Sequence, residues 1–194
     1  MDVKKKKVSL AVVVIAFVTM LTSFIFDHIP ATRTKGFDDL FFQNTWITLV
    51  FNTIALVCAL VYLLKNGEKK AARFHKGFTG ALLLMYISYF HLTLGAAMHY
   101  TLDKQALLHL YIFNLLIGFS AILLLTFAQN QGKKLSLFFA AIAVVAELVI
   151  FFFIVLNGIS ISVLFIFITK LLMINLLYSM VEYKYEDKEA RGTE

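Results

Sequence analysis

Six long apolar stretches run through the chain, separated by short segments that hold most of the charged residues. Each stretch is continuously apolar, whereas a barrel strand alternates, and each is long enough for a helix of ~20 residues to cross a ~30 Å hydrocarbon layer. Because backbone groups in lipid must bond within their own segment, the pattern predicts six transmembrane helices. They extend over about Val8–Phe26, Phe42–Leu64, Phe78–Met98, Gln105–Ala128, Leu135–Leu156 and Ser160–Tyr183.

The basic residues lie almost entirely on one side of this predicted bundle. One side carries Lys4 to Lys7, Lys65, Lys69, Lys70, Arg73, Lys76, Lys133, Lys134, Lys184, Lys188 and Arg191, and the other only Arg33, Lys35 and Lys104. Lys and Arg accumulate in cytoplasmic loops, so we expect both termini in the cytoplasm and a multi-pass protein of the plasma membrane. Little more than Asn157–Gly158 joins the last two spans, which predicts that they are antiparallel neighbours.

The composition supports a membrane protein without a soluble domain. Hydrophobic residues make up 60% of the chain and the mean hydropathy is +0.82, whereas soluble domains are nearer about 45–50% apolar. The net charge of +6 lies in the loops, where it suits lipid headgroups, and we expect membrane lipids and no nucleic acid as partners. We therefore predict a single all-α transmembrane domain over residues 1–194. No P-loop, zinc or redox motif occurs in the sequence, and we expect neither a metal nor a cofactor.

Four polar residues in three consecutive spans fall at similar depth below the outer ends of the predicted helices. Thr48 lies about 8 Å deep and Asn52 one turn deeper, while His91 and His109 lie within about 10 Å of the outer ends of their helices. Desolvation favours turning such side chains inward, which would form one polar layer. Two structural alternatives stay open: the threonine bonding its own backbone, and the histidines serving as packed hydrogen-bond donors.

Two charged residues lie deeper, each about 15 Å from the outer end of its helix. They are Glu147 in the fifth span and Lys170 in the sixth. An unpaired charge at mid-bilayer costs ~3 kcal/mol, so an ion pair between them is the simplest interpretation. A small-residue stripe at Ala140 and Ala143 would let the two helices approach closely. The alternative is functional: Lys170 anchors a substrate carboxylate, or the pair relays protons in a transporter.

Three short motifs resemble a known family. Thr48 lies in FFQNTWITLVFN, His109 lies in ALLHLYIFNLL, and YFHLTLG lies between them. This arrangement, from about Phe41 to Leu125, is similar to the androgen-induced family of integral-membrane threonine hydrolases and to their bacterial relatives. Relatives often have a proline shortly after the histidine, where this chain has Phe113 and Asn114.

The resemblance implies an intramembrane hydrolase of lipid esters, such as fatty acid esters of hydroxy fatty acids, with a lipid-like substrate. In this interpretation Thr48 is the nucleophile and His109 the base, and Asn52 or His91 binds substrate or the oxyanion. Two other functions stay open. One is a small-solute transporter, or the substrate-binding subunit of one, with its site at Glu147 and Lys170. The other is a b-type haem protein with His91 and His109 as axial ligands.

Overall fold

The computed structural model describes residues 3–29, 45–65, 71–97, 102–128, 132–156 and 161–192, and each of these segments contains one α-helix. The helices are α1 (Val3–Asp27), α2 (Thr45–Leu64), α3 (Ala71–Ala97), α4 (Leu102–Ala128), α5 (Lys133–Leu156) and α6 (Ile161–Gly192). The prediction of an all-α chain is confirmed for these segments. The last helix continues beyond Tyr183, the predicted end of its span, through the charged tail to Gly192.

Four of the described helices contain segments long and apolar enough to cross a membrane. These segments are Lys5–Phe26, His109–Ala128, Lys133–Phe152 and Ile161–Met180, and Leu49–Leu64 is a shorter apolar helix. Large apolar side chains on their outer faces are exposed, Phe127 by 65% and Val14 and Phe152 each by 61%. Contiguous exposed apolar surface of this kind is typical of contact with lipid. The helices therefore indicate a membrane protein.

Consecutive helices are neighbours, and α6 returns to pack against α1, so the six helices form a closed ring. The last two helices are neighbours, as the short connection between them predicts, although α5 packs more extensively against α4. α6 also reaches α3 and α4 across the ring. It therefore has partners on several sides, and its polar residues meet side chains from most of the bundle.

The helices approach closely where one of them carries a small residue. A Cβ built on Gly118 of α4 would lie 3.0 Å from Cε1 of Tyr86 on α3, and one on Gly77 of α3 would lie 2.9 Å from Sγ of Cys58 on α2. Ala143 of α5 is fully buried. Small residues let membrane helices pack by van der Waals contact. The contact at Gly118 restricts the ring of Tyr86, and so helps to position its hydroxyl group.

Candidate functional site: a buried ion pair

Two groups of buried polar side chains among the described residues join different helices, and α6 contributes to both. The first, which we call the ion-pair cluster, joins α3, α5 and α6 and consists of Tyr86, Glu147 and Lys170. The second, which we call the hydroxyl cluster, joins α1, α2 and α6 and consists of Thr19, Ser23, Asn52, Ser162 and Thr169. Thr169 and Lys170 are consecutive in α6, so different sides of this helix contribute to the two clusters.

Glu147 and Lys170 lie in contact between α5 and α6. The Lys170 Nζ is 3.2 Å from Oε2 of Glu147 and 3.5 Å from Oε1, and the side chains are only 4% and 1% exposed. Removing two charges from water is costly, and their mutual attraction offsets that cost only with close geometry and further hydrogen bonds. The structure thus brings the two charged residues together in the bundle interior, and the rest of the cluster supplies the further bonds.

Tyr86 supplies one of them, because its hydroxyl donates a hydrogen bond to Oε1 of Glu147. The tyrosine rings also contact the cation: the Lys170 Nζ lies 4.5 Å from the ring centroid of Tyr89 and 5.4 Å from that of Tyr86. A desolvated ammonium over an aromatic face gains about 2 kcal/mol. Both tyrosines are buried, so the lysine is held by a carboxylate and by two aromatic rings.

A small cavity lies beside the pair. Its walls combine the two charged residues with five apolar ones: Glu147, Lys170, Ile150, Phe151, Val163, Ile166 and Phe167. The rings of Phe151 and Phe167 stack at 4.1 Å. The cavity leaves about 20 Å³ for the centre of a water molecule, so a larger ligand enters only if the helices move. The walls of the cavity therefore place a pair of opposite charges beside apolar and aromatic surface.

The predicted polar layer is not assembled in the described part of the structure. Thr48 lies in the first turn of α2, and its side chain is outside the described residues. Asn52 is buried, but His91 and His109 are both exposed. The expectation that the two histidines turn inward is therefore wrong. Tyr89 and Tyr111, two residues away from them, take the inward positions; a tyrosine ring buries more apolar surface than an imidazole.

The histidine placement also bears on metals and haem. Within the described residues, no group of three His, Cys, Asp or Glu side chains is placed to hold a metal ion. His91 and His109 are both exposed, whereas the ligands of a haem held between the helices would be buried. The haem interpretation therefore gains no support from the geometry.

Two asparagines do not take the roles that the sequence suggests. Helix–helix hydrogen bonding is the default expectation for Asn114 and Asn175 in mid-membrane positions. The Nδ2 of Asn114 instead donates to the carbonyl of Leu110 in its own helix, at 2.8 Å. Asn175 is exposed on α6. Neither residue therefore links two of the described helices.

Sequence reasoning missed Tyr86 and most of the hydroxyl cluster. The aromatic residues suggest lipid-facing bulk, and serines and threonines in membrane helices commonly bond their own backbone. One signal would have found Tyr86: it lies near the middle of an apolar helix, where a tyrosine hydroxyl needs a buried partner. Glu147 is the acceptor of suitable depth.

Comparison of the chain with protein-family models, with curated proteins and with solved structures gave no match. The class that the fold and the site define is an all-α membrane protein with a buried, tyrosine-linked ion pair.

Replacement of Tyr86 by phenylalanine tests the cluster. Hydrogen bonds to charged groups contribute about 1.5–3 kcal/mol, so Tyr86→Phe should lower the free energy of unfolding in detergent by about that amount. Tyr62→Phe is the matched control, because the Tyr62 hydroxyl donates to the neutral carbonyl of Met180, at 3.4 Å. It should cost about 0.5–1.5 kcal/mol. Equal losses would show that Tyr86 does not support a charge.

Proposed function

We propose that the chain spans the plasma membrane six times with both termini in the cytoplasm. Support comes from the six helices, from the apolar outer faces of four of them, and from the basic residues. The start of α1, the end of α2 and the starts of α3 and α5 all carry lysines or arginines, and this topology brings them to the same side. The ion-pair cluster then lies near the middle of the bilayer.

Cysteine labelling tests this topology. In a Cys58→Ala background, a cysteine introduced by Lys104→Cys should react with a membrane-impermeant maleimide on intact cells. One introduced by Lys134→Cys should react only after the cells are permeabilised, because it lies one span further along. Labelling of both positions in intact cells, or of Lys134→Cys alone, would contradict the six-span arrangement.

Within this topology, we propose a small-solute transporter or the substrate-binding membrane subunit of one. Lys170 binds the anionic group of the solute. When no solute is bound, Lys170 forms its ion pair with Glu147 instead. One observation carries the proposal: a fully buried ion pair lies beside a cavity whose other walls are apolar and aromatic. Ionisable residues inside membrane spans mark substrate and ion pathways.

The partners of the pair support an exchange at Lys170. When a solute carboxylate replaces Glu147 there, the glutamate keeps the hydroxyl of Tyr86 as a donor, so its charge retains one partner. A proton taken up by Glu147 would then keep the site neutral. Such a step couples solute binding to protonation without leaving an isolated charge in the bundle, where it would be costly.

The walls of the cavity define the class of solute. Lys170 offers one positive charge, so a monocarboxylate fits better than a dianion. Phe151, Phe167 and the aliphatic walls favour a short apolar or aromatic remainder. We therefore propose small apolar monocarboxylates as the substrate class, admitted when α5 and α6 separate.

Uptake into proteoliposomes tests this function. Wild-type protein should accumulate at least one member of a panel of radiolabelled small monocarboxylates, measured with and without a proton gradient. The double variant Glu147→Leu/Lys170→Met leaves no lone buried charge, so it should fold and show no uptake. Lys134→Met, which removes an exposed lysine at the start of α5, should keep wild-type uptake. Uptake by the double variant at the wild-type rate would refute the proposal.

The threonine hydrolase remains a second proposal. It is supported by the resemblance of the Thr48 and His109 motifs, and by Asn52, buried one turn beyond Thr48 in α2. The exposure of His109 weighs against it. Turnover of long-chain esters in liposomes separates the two functions. Loss of turnover in Thr48→Ala, with retention in the control Thr53→Ala, and no carboxylate uptake by wild type would establish the hydrolase and reject the transporter.

A further inference from the structure

The hydroxyl cluster surrounds a second cavity, between α1, α2 and α6. Its walls carry three oxygen-bearing side chains among apolar ones: Ser23, Asn52, Thr169, Met20, Phe24, Leu49 and Ile166. The cavity leaves about 10 Å³ for the centre of a water-sized sphere, enough for one water molecule or one small ion. It is separate from the cavity beside the ion pair, although Ile166 lines both.

The two hydroxyl groups that line this cavity both donate their hydrogen to a backbone carbonyl. Ser23 donates from Oγ to the carbonyl of Ser162 at 3.0 Å, and Thr169 donates from Oγ1 to the carbonyl of Phe165 at 2.8 Å. Thr19 lies behind Thr169, with 2.9 Å between their hydroxyl oxygens. A hydroxyl has one hydrogen and two lone pairs, so both groups are left to act as acceptors.

Asn52 adds a third acceptor. Its side chain is 3% exposed, and its Oδ1 is buried with no hydrogen-bond partner among the residues that the structure describes. A buried polar atom without a partner is destabilising, and native proteins rarely leave one. The carbonyl oxygen of Asn52 and the oxygens of Ser23 and Thr169 therefore give the cavity a lining that accepts hydrogen bonds.

We propose that this cavity binds one dehydrated monovalent cation, with sodium as the ion of suitable size. A cation needs only oxygen acceptors, which the three side chains provide. A water molecule has two hydrogens to donate, so it would leave one of the three acceptors without a partner, whereas a cation can contact all three. None of the described residues that line the cavity has a carboxylate, and divalent cations such as calcium are held largely by carboxylates.

The proposed cation site lies close to the ion pair in α6, but it does not depend on the ion pair. Thr169 precedes Lys170 in α6, and Ile166 separates the two cavities. A cation bound beside Thr169 adds a second positive charge near Lys170. The two charges together attract an anion to this part of the bundle more strongly than Lys170 does alone. The cation site nevertheless stands on its own contacts, whether or not Lys170 binds a solute.

Thermal unfolding of the purified protein in detergent tests the proposal. Sodium chloride should raise the Tm of the wild type in a saturable way, relative to choline chloride and potassium chloride at the same ionic strength. Asn52→Leu should abolish this response, and Asn52→Asp should retain or strengthen it by adding a negative charge. Asn114→Leu is the matched control, since that buried amide is bonded within its own helix, and it should respond as the wild type does.

Direct binding of ²²Na⁺ to the wild-type protein gives a second readout that needs no variant to fold. Saturable binding that is lost in Asn52→Leu is expected. Identical Tm values in the three salts together with no ²²Na⁺ binding would overturn the proposal and leave a buried water site. A full sodium response in Asn52→Leu would overturn it as well, by placing the ion elsewhere. Neither assay includes a carboxylate solute, so failure of the cation proposal can be distinguished from failure of the transport proposal.

Discussion

The rest of the bundle depends on keeping one pair of opposite charges together in a buried position. Lys170 on α6 and Glu147 on α5 must meet, and Tyr86 on α3 must reach the same carboxylate. Tyr86 in turn packs against Gly118 on α4, where any larger residue would displace its ring. Because an isolated charge in this interior is so costly, these contacts fix the relative positions of four helices.

The sixth helix organises the interior because it carries both clusters. Lys170 faces α3 and α5, while Thr169 and Ser162 contact α1. Apolar packing between membrane helices is weakly directional, since lipid tails are as apolar as the side chains. Hydrogen bonds and the ion pair therefore specify which face of α6 meets which neighbour. The same groups are also the natural ligands for a polar solute or ion, so structure and proposed function draw on the same residues.

The helices and the charged pair can be predicted directly from the sequence, but the side of each helix on which the other polar residues lie cannot. A continuously apolar segment in lipid must satisfy its backbone hydrogen bonds internally, so it forms a helix. Two opposite charges at equal depth on neighbouring spans have the lowest free energy when they form an ion pair. The orientation of His91 and His109 was not predictable, because it depends on competition with Tyr89 and Tyr111 for the interior. Contacts of the hydroxyl cluster depend equally on the packing of α1 against α6, which sequence spacing does not reveal.

A double-mutant cycle across the ion pair tests the central claim most directly. The measured quantity is the free energy of unfolding in detergent of wild type, Glu147→Gln, Lys170→Met and the double variant. Each single change leaves one buried charge alone and should cost about 3–5 kcal/mol, whereas the double variant should cost clearly less than the sum. Single losses that simply add in the double variant would show that the two residues do not interact, and would contradict the account.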